Sequence, residues 1–497
     1  MCVSSSNSSS VSSLAASPTS AWSTGLVRSW VGMICGATLL LNSGPIFYPH
    51  VVIDDFQILI GSWAWQDARA NLWLPHNEHS MPLGRLSTWL LVQIAGRPTL
   101  VPVALALQGP LALVAAVLLV YIFVRRETGQ PVPAVLAMAL FGVNTHYQNA
   151  VNWFSASFAV LALDTFLLGM LAAQRWRQTG RTRHLALSAL WCALAPGWFA
   201  TGVLAGPLTT LYLLAWAPRK PKWPRRVWLA PLTPFLGTLV SLTLTLTVNG
   251  NRILGLPRVE VQATAWDTFD PITGTIYTMR SMIDDLVPGA LGFEELTSPL
   301  PVVVAGWLVL GLAGVWCWRQ ALNRPLLLLG LGLIVASYVL IYSGRAYFEY
   351  EGMHHWGRYH LLSHLGLVLF ACGGLPGRFV QAVNVASARA VNLGSASLLG
   401  LLIVTQFPRV RTVGYDPQQS ADLERVERVD ALCRQHRIDA VTAREALPPF
   451  EISGMEGREI DGRRLSGWDL LRGSPNPQRM TVAEARRMLE ADLNGSD

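Results

Sequence analysis

Long apolar runs alternate with polar and aromatic segments along most of this sequence. Several runs reach the ~20 residues that an α-helix needs to cross a hydrocarbon core about 30 Å thick. A spanning segment must be helical, because lipid offers its backbone no hydrogen-bond partners. The pattern predicts an all-α protein with about eleven transmembrane helices, at 26–47, 101–124, 132–143, 154–174, two short spans within 184–216, 229–248, 302–318, 325–342, 361–374 and 391–405.

The run 184–216 is interrupted by Pro196 and Gly197. Proline removes a helical hydrogen bond and clashes with the preceding turn. We expect a tight hairpin of two short spans that breaks at 195–199. A single kinked helix is the alternative.

Composition agrees with a membrane protein, since only 14% of the 497 residues are charged against about 25% in soluble domains. The net charge of +7 comes mostly from arginines in short loops between the spans. Such a distribution is typical of membrane topology rather than of nucleic-acid binding. The six cysteines form neither a disulfide framework nor a zinc-binding pattern.

Basic residues predict the orientation, because they concentrate in cytoplasmic loops. They fall on alternate loops, at Arg28, Arg125, Arg126 and within 175–183, 219–226, 319–324 and 378–389. The Ser-rich segment 1–25 is then a disordered cytoplasmic tail, and 26–405 is the membrane domain. The loops 48–97, 249–300 and 344–360 share the external face with the C-terminal segment 406–497.

The C-terminal segment is charged and free of long apolar runs. Residues 420–437 have the pattern of an amphipathic helix, 438–441 that of a short strand, and 481–493 that of a second helix. Thr481 and Glu484 have the spacing of a capping box at its start. We expect a small extracytoplasmic α/β domain.

Asp54 and Asp55 follow the first span, on the external side. The segment after them, 56–73, has apolar and aromatic residues at helical spacing and predicts a helix lying on the membrane surface. Neighbouring helical residues point about 100° apart, so at most one of the two carboxylates faces a given site. Either one is a functional carboxylate, or Asp55 simply caps the helix.

Two further clusters lie on the external side. The first holds His76, Glu78, His79 and Arg85, which could bind a metal, position a sugar or phosphate through hydrogen bonds, or pack against lipid headgroups. The second extends from Arg345 to His360 and interleaves His354, His355 and Arg358 with aromatic residues such as Tyr359. Arginine suits phosphate oxygens, so the cluster predicts an anionic lipid-linked ligand, with an ordinary interfacial belt as the alternative.

The remaining acidic residues have simpler interpretations. Asp267, Asp270, Asp284, Asp285, Glu294 and Glu295 lie in the loop 249–300, and we expect solvated acids or helix caps. Asp164 lies within the fourth span. It either forms a hydrogen bond to a neighbouring helix or has a functional role.

These features together resemble the GT-C superfamily of membrane glycosyltransferases. The shared features are an external loop that opens on an acidic pair, the sequence 77–86 (NEHSMPLGRL), the hairpin near 195–199 and the late external sequence 357–359 (GRY). The resemblance covers about residues 26–405. It implies a bacterial multi-pass protein of the cytoplasmic (inner) membrane that uses a polyprenyl-phosphate-linked sugar.

The resemblance further implies an inverting transfer with Asp54 or Asp55 as the base. A carboxylate would take the proton of the acceptor hydroxyl, and Arg358, with Arg345, would stabilise the departing phosphate. Glu78, His79, Arg85, His355 and Tyr359 would contribute to substrate binding. No cofactor is expected, and a divalent metal is possible but not favoured. The acceptor could be a glycan, a lipid or a protein.

A transporter or lipid flippase is the first alternative function. It would favour an inverted repeat, several charges within the membrane and small external loops, whereas this chain has three sizeable loops on one face. The second alternative is a non-catalytic relative that binds polyprenyl phosphate.

Overall fold

A computed structural model describes residues 24–47, 49, 51, 54–76, 79–215, 225–254, 269–293, 296–346, 350–353, 356–385, 388–406, 417–453, 455, 459–460 and 463–494 of this chain. Of the predicted disordered tail 1–25, only the last two residues fall within these ranges. Residues 255–268 of the second external loop also lie outside the described part.

Helices dominate the described residues, and every predicted span falls on helical structure. As far as residue 254, the α-helices are Thr24–Leu41, Gly44–Phe47, Asp54–Ile60, Trp65–Ala70, Pro82–Ala95, Val101–Thr128, Pro131–Gly142, Asn149–Asn152, Phe154–Thr179, Thr182–Leu194, Ala205–Ala215 and Thr233–Leu254. Further along, they are Pro271–Arg280, Val287–Ala290, Leu300–Gln320, Arg324–Arg345, Tyr350–Met353, Leu361–Gly374, Gly377–Val385 and Ala388–Gln406. The 3-10 segments are Pro98–Leu100, Ala195–Gly197, Ala200–Leu204, Arg225–Leu232, Gly357–His360 and Gly467–Leu470, and Ser281–Leu286 is a π-helix.

Six helices in the described residues are long and apolar enough to cross a membrane. They are Thr24–Leu41, Pro98–Thr128, Phe154–Thr179, Leu229–Val248, Leu300–Gln320 and Arg324–Arg345. The multi-pass pattern is therefore present, while a count of eleven spans stays a prediction for the shorter apolar helices.

The helices differ in how deeply they lie inside the molecule. In the most apolar 18-residue stretch of the Phe154–Thr179 helix, 83% of the residues are buried. In the corresponding stretch of Leu300–Gln320 only 6% are buried, and side chains such as Leu312 are exposed. The Phe154–Thr179 helix is thus central and Leu300–Gln320 is peripheral. A side chain that contacts the start of the central helix lies in the interior of the protein.

The expected hairpin near Pro196 is confirmed. The helix Thr182–Leu194 ends in the turn Ala195–Gly197, and a second helix begins at Ala205. Gly202 returns against Ala195 so closely that a Cβ at Gly202 would lie 2.2 Å from the Ala195 carbonyl oxygen. A single kinked helix is excluded, because its residues seven apart could not meet in this way.

Small residues bring together the helices Arg324–Arg345 and Leu361–Gly374. A Cβ at Gly330 would lie 2.4 Å from the carbonyl oxygen of Gly366, and a Cβ at Gly366 would lie 2.6 Å from that of Gly330. Such close backbone packing is typical of membrane helices. It fixes the ends of Arg324–Arg345 and Leu361–Gly374, and with them the loop that carries Arg358.

The C-terminal segment contains the helices Pro417–Gln435, Ala440–Ala446 and Val482–Asn494 and a hairpin of Glu459–Ile460 with Arg463–Arg464. Both predicted helices are confirmed. The capping box is also confirmed, because the Thr481 amide donates to Glu484 at 2.9 Å and the Glu484 amide donates to the Thr481 hydroxyl at 3.3 Å. A full α/β domain stays a prediction, since the described strands are two residues each.

The predicted strand 438–441 is wrong. The Asp439 carboxylate accepts a hydrogen bond from the Thr442 amide at 2.9 Å and caps the helix Ala440–Ala446. Asp at this position favours a helix start over a strand.

The predicted continuous surface helix over 56–73 is also wrong. The chain forms two short helices, Asp54–Ile60 and Trp65–Ala70. They separate at Gly61, where a Cβ would lie 2.7 Å from the guanidinium of Arg85. The buried arginine therefore occupies the space that the next turn of helix would need.

Candidate functional site

Asp55 contacts the start of the central helix. Its carboxylate is 1% exposed and accepts a hydrogen bond from the Ser155 amide at 2.9 Å. Ser155 is the second residue of the Phe154–Thr179 helix, where amides have no partner within the helix and the helix dipole is positive. The simpler interpretation, that Asp55 caps the helix that follows it, is wrong, because Asp55 is the second residue of that helix and instead accepts from the first turn of a helix 100 residues away in sequence. Asp54 is the first residue of the helix Asp54–Ile60.

Arg358 reaches the same end of the central helix. Its guanidinium carbon lies 4.6 Å from the ring centroid of Trp153, 4.7 Å from that of Trp356 and 5.3 Å from that of Tyr359. Stacking on aromatic faces holds a guanidinium through cation–π attraction. Trp153 precedes the helix and is two residues from Ser155, so their Cα atoms lie within about 7 Å of each other. Asp55 thus contacts the backbone of Ser155, and Arg358 contacts the side chain of Trp153, two residues earlier.

The segment 144–153 also contributes to this region, although its sequence carries none of the motifs that predicted the site. The rings of His146 and His360 lie 4.4 Å apart, and Nδ1 of His360 is 2.9 Å from the Tyr338 hydroxyl. A Cβ at Gly357 would lie 2.2 Å from the His146 carbonyl oxygen, so Gly357 is needed for the loop of Arg358 to approach. The density of polar and aromatic residues in 144–153 was the available signal.

Asp284 and Asp285 correct the expectation of solvated loop acids, because both side chains are fully buried. They belong to the π-helix Ser281–Leu286, a rare conformation that occurs often at functional sites. Asp285 accepts a hydrogen bond from the Tyr350 hydroxyl at 3.1 Å. Burial, and then the charges of Asp285 and Asp284, raise the pKa of Tyr350, so its hydroxyl keeps the proton that it donates.

The carboxylate of Asp284 forms no hydrogen bond within the part of the chain that the structure describes. The other loop acids differ from it. Asp270 is exposed and caps the helix Pro271–Arg280, as expected, and its hydrogen bonds from Thr273 lower its pKa. Asp267, Glu294 and Glu295 lie outside the described residues.

Replacing Asp284 with Asn should therefore stabilise the protein. A carboxyl group that is buried without a hydrogen-bond partner costs free energy, and the cost is largest for a group that can carry a charge, whereas the amide of asparagine carries none. We expect D284N to gain about 1 kcal/mol or more of stability at neutral pH, measured by thermal unfolding in detergent. D270N is the matched control and should show no gain, because Asp270 is exposed. A loss of stability in D284N would show that the carboxylate has a favourable partner.

Arg85 and His79 have structural contacts within the first loop. Nε and Nη2 of Arg85 donate to the Leu74 carbonyl oxygen at 3.3 and 3.2 Å, and the side chain is 2% exposed. The His79 ring lies 4.3 Å from that of Phe199, and the backbone of His79 pairs with that of His76. A direct role for Arg85 in substrate binding is not supported by this position.

The other predicted residues are placed less fully. Arg345 is the last residue of the Arg324–Arg345 helix, and the Tyr359 ring lies 5.5 Å from that of Trp356. Glu78, His354 and His355 lie outside the described residues. Asp164 is partly buried within the central helix. No group of three His, Cys, Asp or Glu side chains in the described ranges is arranged to hold a metal.

Comparison with protein-family models finds no match, and comparison with curated proteins finds none either. Among solved structures, the chain is similar to ArnT from Cupriavidus metallidurans bound to undecaprenyl phosphate. The two share 14% sequence identity with a TM-score of 0.43, over 95% of this chain and 88% of that chain. Because the similarity is this low, the chemistry of this chain has to be inferred from its own residues.

Proposed function

We propose that this protein is an inverting glycosyltransferase that transfers a sugar from a polyprenyl-phosphate donor to an acceptor at the external face of the cytoplasmic membrane. One observation carries the proposal: Asp55 of the acidic pair contacts Ser155 and Arg358 stacks on Trp153, two residues apart at the start of the Phe154–Thr179 helix. A carboxylate and a cation held at one end of a helix suit a reaction that removes a proton and releases a phosphate.

The proposed reaction is a single displacement. The base takes the proton of an acceptor hydroxyl, whose oxygen attacks the anomeric carbon of the sugar. The bond from that carbon to the phosphate oxygen breaks, and the polyprenyl phosphate leaves with the electron pair. Attack from the side opposite to the leaving group inverts the anomeric centre. Arg358 stabilises the negative charge that develops on the phosphate.

We assign the base to Asp54 and a positioning role to Asp55. Asp55 is fully buried, and its carboxylate holds the amide of Ser155. A buried carboxylate that accepts from a helix amide is engaged by that contact, and Asp54 is the other carboxylate of the pair. Asp55 then fixes the orientation of the helix Asp54–Ile60 against the central helix.

An apolar groove supports a lipid-linked donor. It has a volume of about 410 Å³, within the usual range for ligand pockets. Its lining includes Phe269, Trp307, Val339 and Tyr342. The Tyr342 ring lies 5.6 Å from that of Tyr277, which is 5.9 Å from Tyr350. An isoprenoid chain in this groove would therefore end close to the loop that carries Arg358.

The external location is supported by the distribution of basic residues. The N-terminus is then cytoplasmic and the C-terminal segment extracytoplasmic. The first external loop and the C-terminal segment also contact each other, as the Arg472 guanidinium donates to the Val92 carbonyl oxygen at 2.8 Å. Contacts of this kind are expected if the two segments lie on the same side of the membrane.

The test is a transfer assay with the purified chain in lipid nanodiscs. A panel of polyprenyl-phosphate-linked hexoses and pentoses is supplied with glycan, lipid and peptide acceptors. We expect release of polyprenyl phosphate that depends on an acceptor, with an inverted linkage in the product by NMR. In proteoliposomes, translocation of the lipid-linked sugar with no cleavage of the sugar–phosphate bond would favour a flippase instead.

A further inference from the structure

We propose that Gln419 of the C-terminal segment is a positioning residue for the acidic pair. Its side-chain oxygen accepts a hydrogen bond from the Val51 amide at 2.8 Å, and its side-chain nitrogen donates to the Val51 carbonyl oxygen at 3.0 Å. Val51 is 2% exposed and Gln419 is 3% exposed. The two residues are 368 positions apart in sequence.

A glutamine amide is well suited to this contact. It offers one acceptor and two donors, so it pairs with a backbone amide and carbonyl as a neighbouring strand would. Buried backbone groups that lose their partners cost free energy, because water cannot replace the lost bond. Val51 thus depends on the C-terminal segment for both of its main-chain hydrogen-bonding groups.

Gln419 is itself held in place from the other side. Its nitrogen also donates to the Ser453 carbonyl oxygen at 2.8 Å. The Ser453 amide donates to Asp422 at 2.9 Å, one helical turn after Gln419. Gln419 is therefore held in place by contacts within the C-terminal segment, and it is not an exposed surface side chain.

Val51 lies three residues before Asp54. The short segment 51–55 is thus fixed at both ends, by Gln419 at Val51 and by the Ser155 amide at Asp55. Phe56 of the first loop and Leu423 of the C-terminal segment also belong to one cluster of buried residues. The C-terminal segment completes the site by setting where the acidic pair can lie.

A second set of contacts supplies a matched control. The Thr99 hydroxyl donates to Glu427 at 2.6 Å, on the same C-terminal helix as Gln419 but far in sequence from the acidic pair. Thr99→Ala removes one docking contact of the C-terminal segment and leaves Val51 unchanged. It therefore separates a general loosening of the segment from a loss of positioning.

The activity test rests on the proposed glycosyl transfer. Gln419→Met has a similar length and no hydrogen-bonding groups. We expect it to lower kcat by about 10- to 100-fold, because small displacements of catalytic groups have effects of that size. The KM for the lipid-linked donor should change by less than about threefold, since Arg358 is untouched. Thr99→Ala should keep both values.

Gln419→Glu adds a second measurement, the pH dependence of activity, which should not change if Gln419 has a purely structural role. An ionised carboxylate would repel the Val51 and Ser453 carbonyl oxygens, whereas a protonated one can donate to Val51 and accept from it. Burial favours the protonated form. The activity of Q419E relative to wild type should therefore rise as the pH falls from about 8 to 5, while that of Q419M stays flat. A flat ratio for Q419E would count against the positioning role.

Hydrogen exchange separates this inference from the proposed function. In the full chain, the peptide covering 51–60 should exchange faster in Q419M than in wild type, and T99A should match wild type. Unchanged exchange in Q419M would overturn the positioning role whether or not the protein transfers sugar. Faster exchange with an unchanged kcat would overturn the link to the site. A wild-type chain that transfers no sugar would refute the proposed function, and the exchange comparison would still decide the contact.

Discussion

Asp54→Asn should lower kcat for sugar transfer by a factor of about 10² to 10⁴, the range that a general base contributes. Asparagine has nearly the same shape and cannot take the proton of the acceptor hydroxyl. The fold and the binding of the lipid-linked donor should remain. The measurements are kcat with purified protein, thermal unfolding and donor binding at equilibrium.

Asp55→Asn is the informative comparison. Its side-chain oxygen can still accept from the Ser155 amide, so the cap of the central helix is kept. We expect D55N to lose less than about tenfold in kcat, whereas Asp55→Ala should lose about 1–3 kcal/mol of stability, because the buried Ser155 amide then has no partner.

The exposed Asp67 lies in the same loop and provides a control, since D67N should be active. If D55N is inactive and D54N is active, the two roles are exchanged. If both variants transfer sugar at the wild-type rate, neither carboxylate is the base.

The helices could be predicted because their cause is local. An apolar run long enough to cross a membrane forms a helix whatever its neighbours are, and every predicted span falls on helical structure. The capping box of Thr481 and Glu484 is also local, as its partners are three residues apart. The prediction of a strand at 438–441 was wrong because it overlooked a local signal, the helix cap at Asp439.

The site was less predictable, because its contacts join distant residues. The pairs Asp55 with Ser155 and Arg358 with Trp153 are 100 and more residues apart. The sequence around Asp284 predicts a solvated loop. Its burial results from packing between segments that are distant in sequence. The sequence alone indicated which residue types lie in the loops predicted to be external, but not which side chains of distant segments contact each other.

Arg358→Gln should lower kcat/KM for the donor by a factor of about 10² to 10³, the cost of losing one donor to a developing anion. Three aromatic rings fix the guanidinium before the donor binds, so little ordering is left to occur during the reaction. Arg358→Lys keeps the charge but loses the planar group that stacks and forms two parallel hydrogen bonds. We expect it to fall between wild type and Arg358→Gln in steady-state kinetics.

Arg324→Gln is the control for this variant, because Arg324 also stacks on a tryptophan. Its guanidinium carbon lies 5.2 Å from the ring centroid of Trp318, at the helix ends that we predict to be cytoplasmic from the basic residues. Both substitutions remove cation–π attraction, from one ring at Arg324 and from three rings at Arg358, at about 0.5–2 kcal/mol per contact, so both should lower the unfolding temperature and Arg358→Gln should lower it more. Only Arg358→Gln should impair transfer. Equal activities in the two variants would show that the stacked Arg358 stabilises its loop and does not stabilise a phosphate.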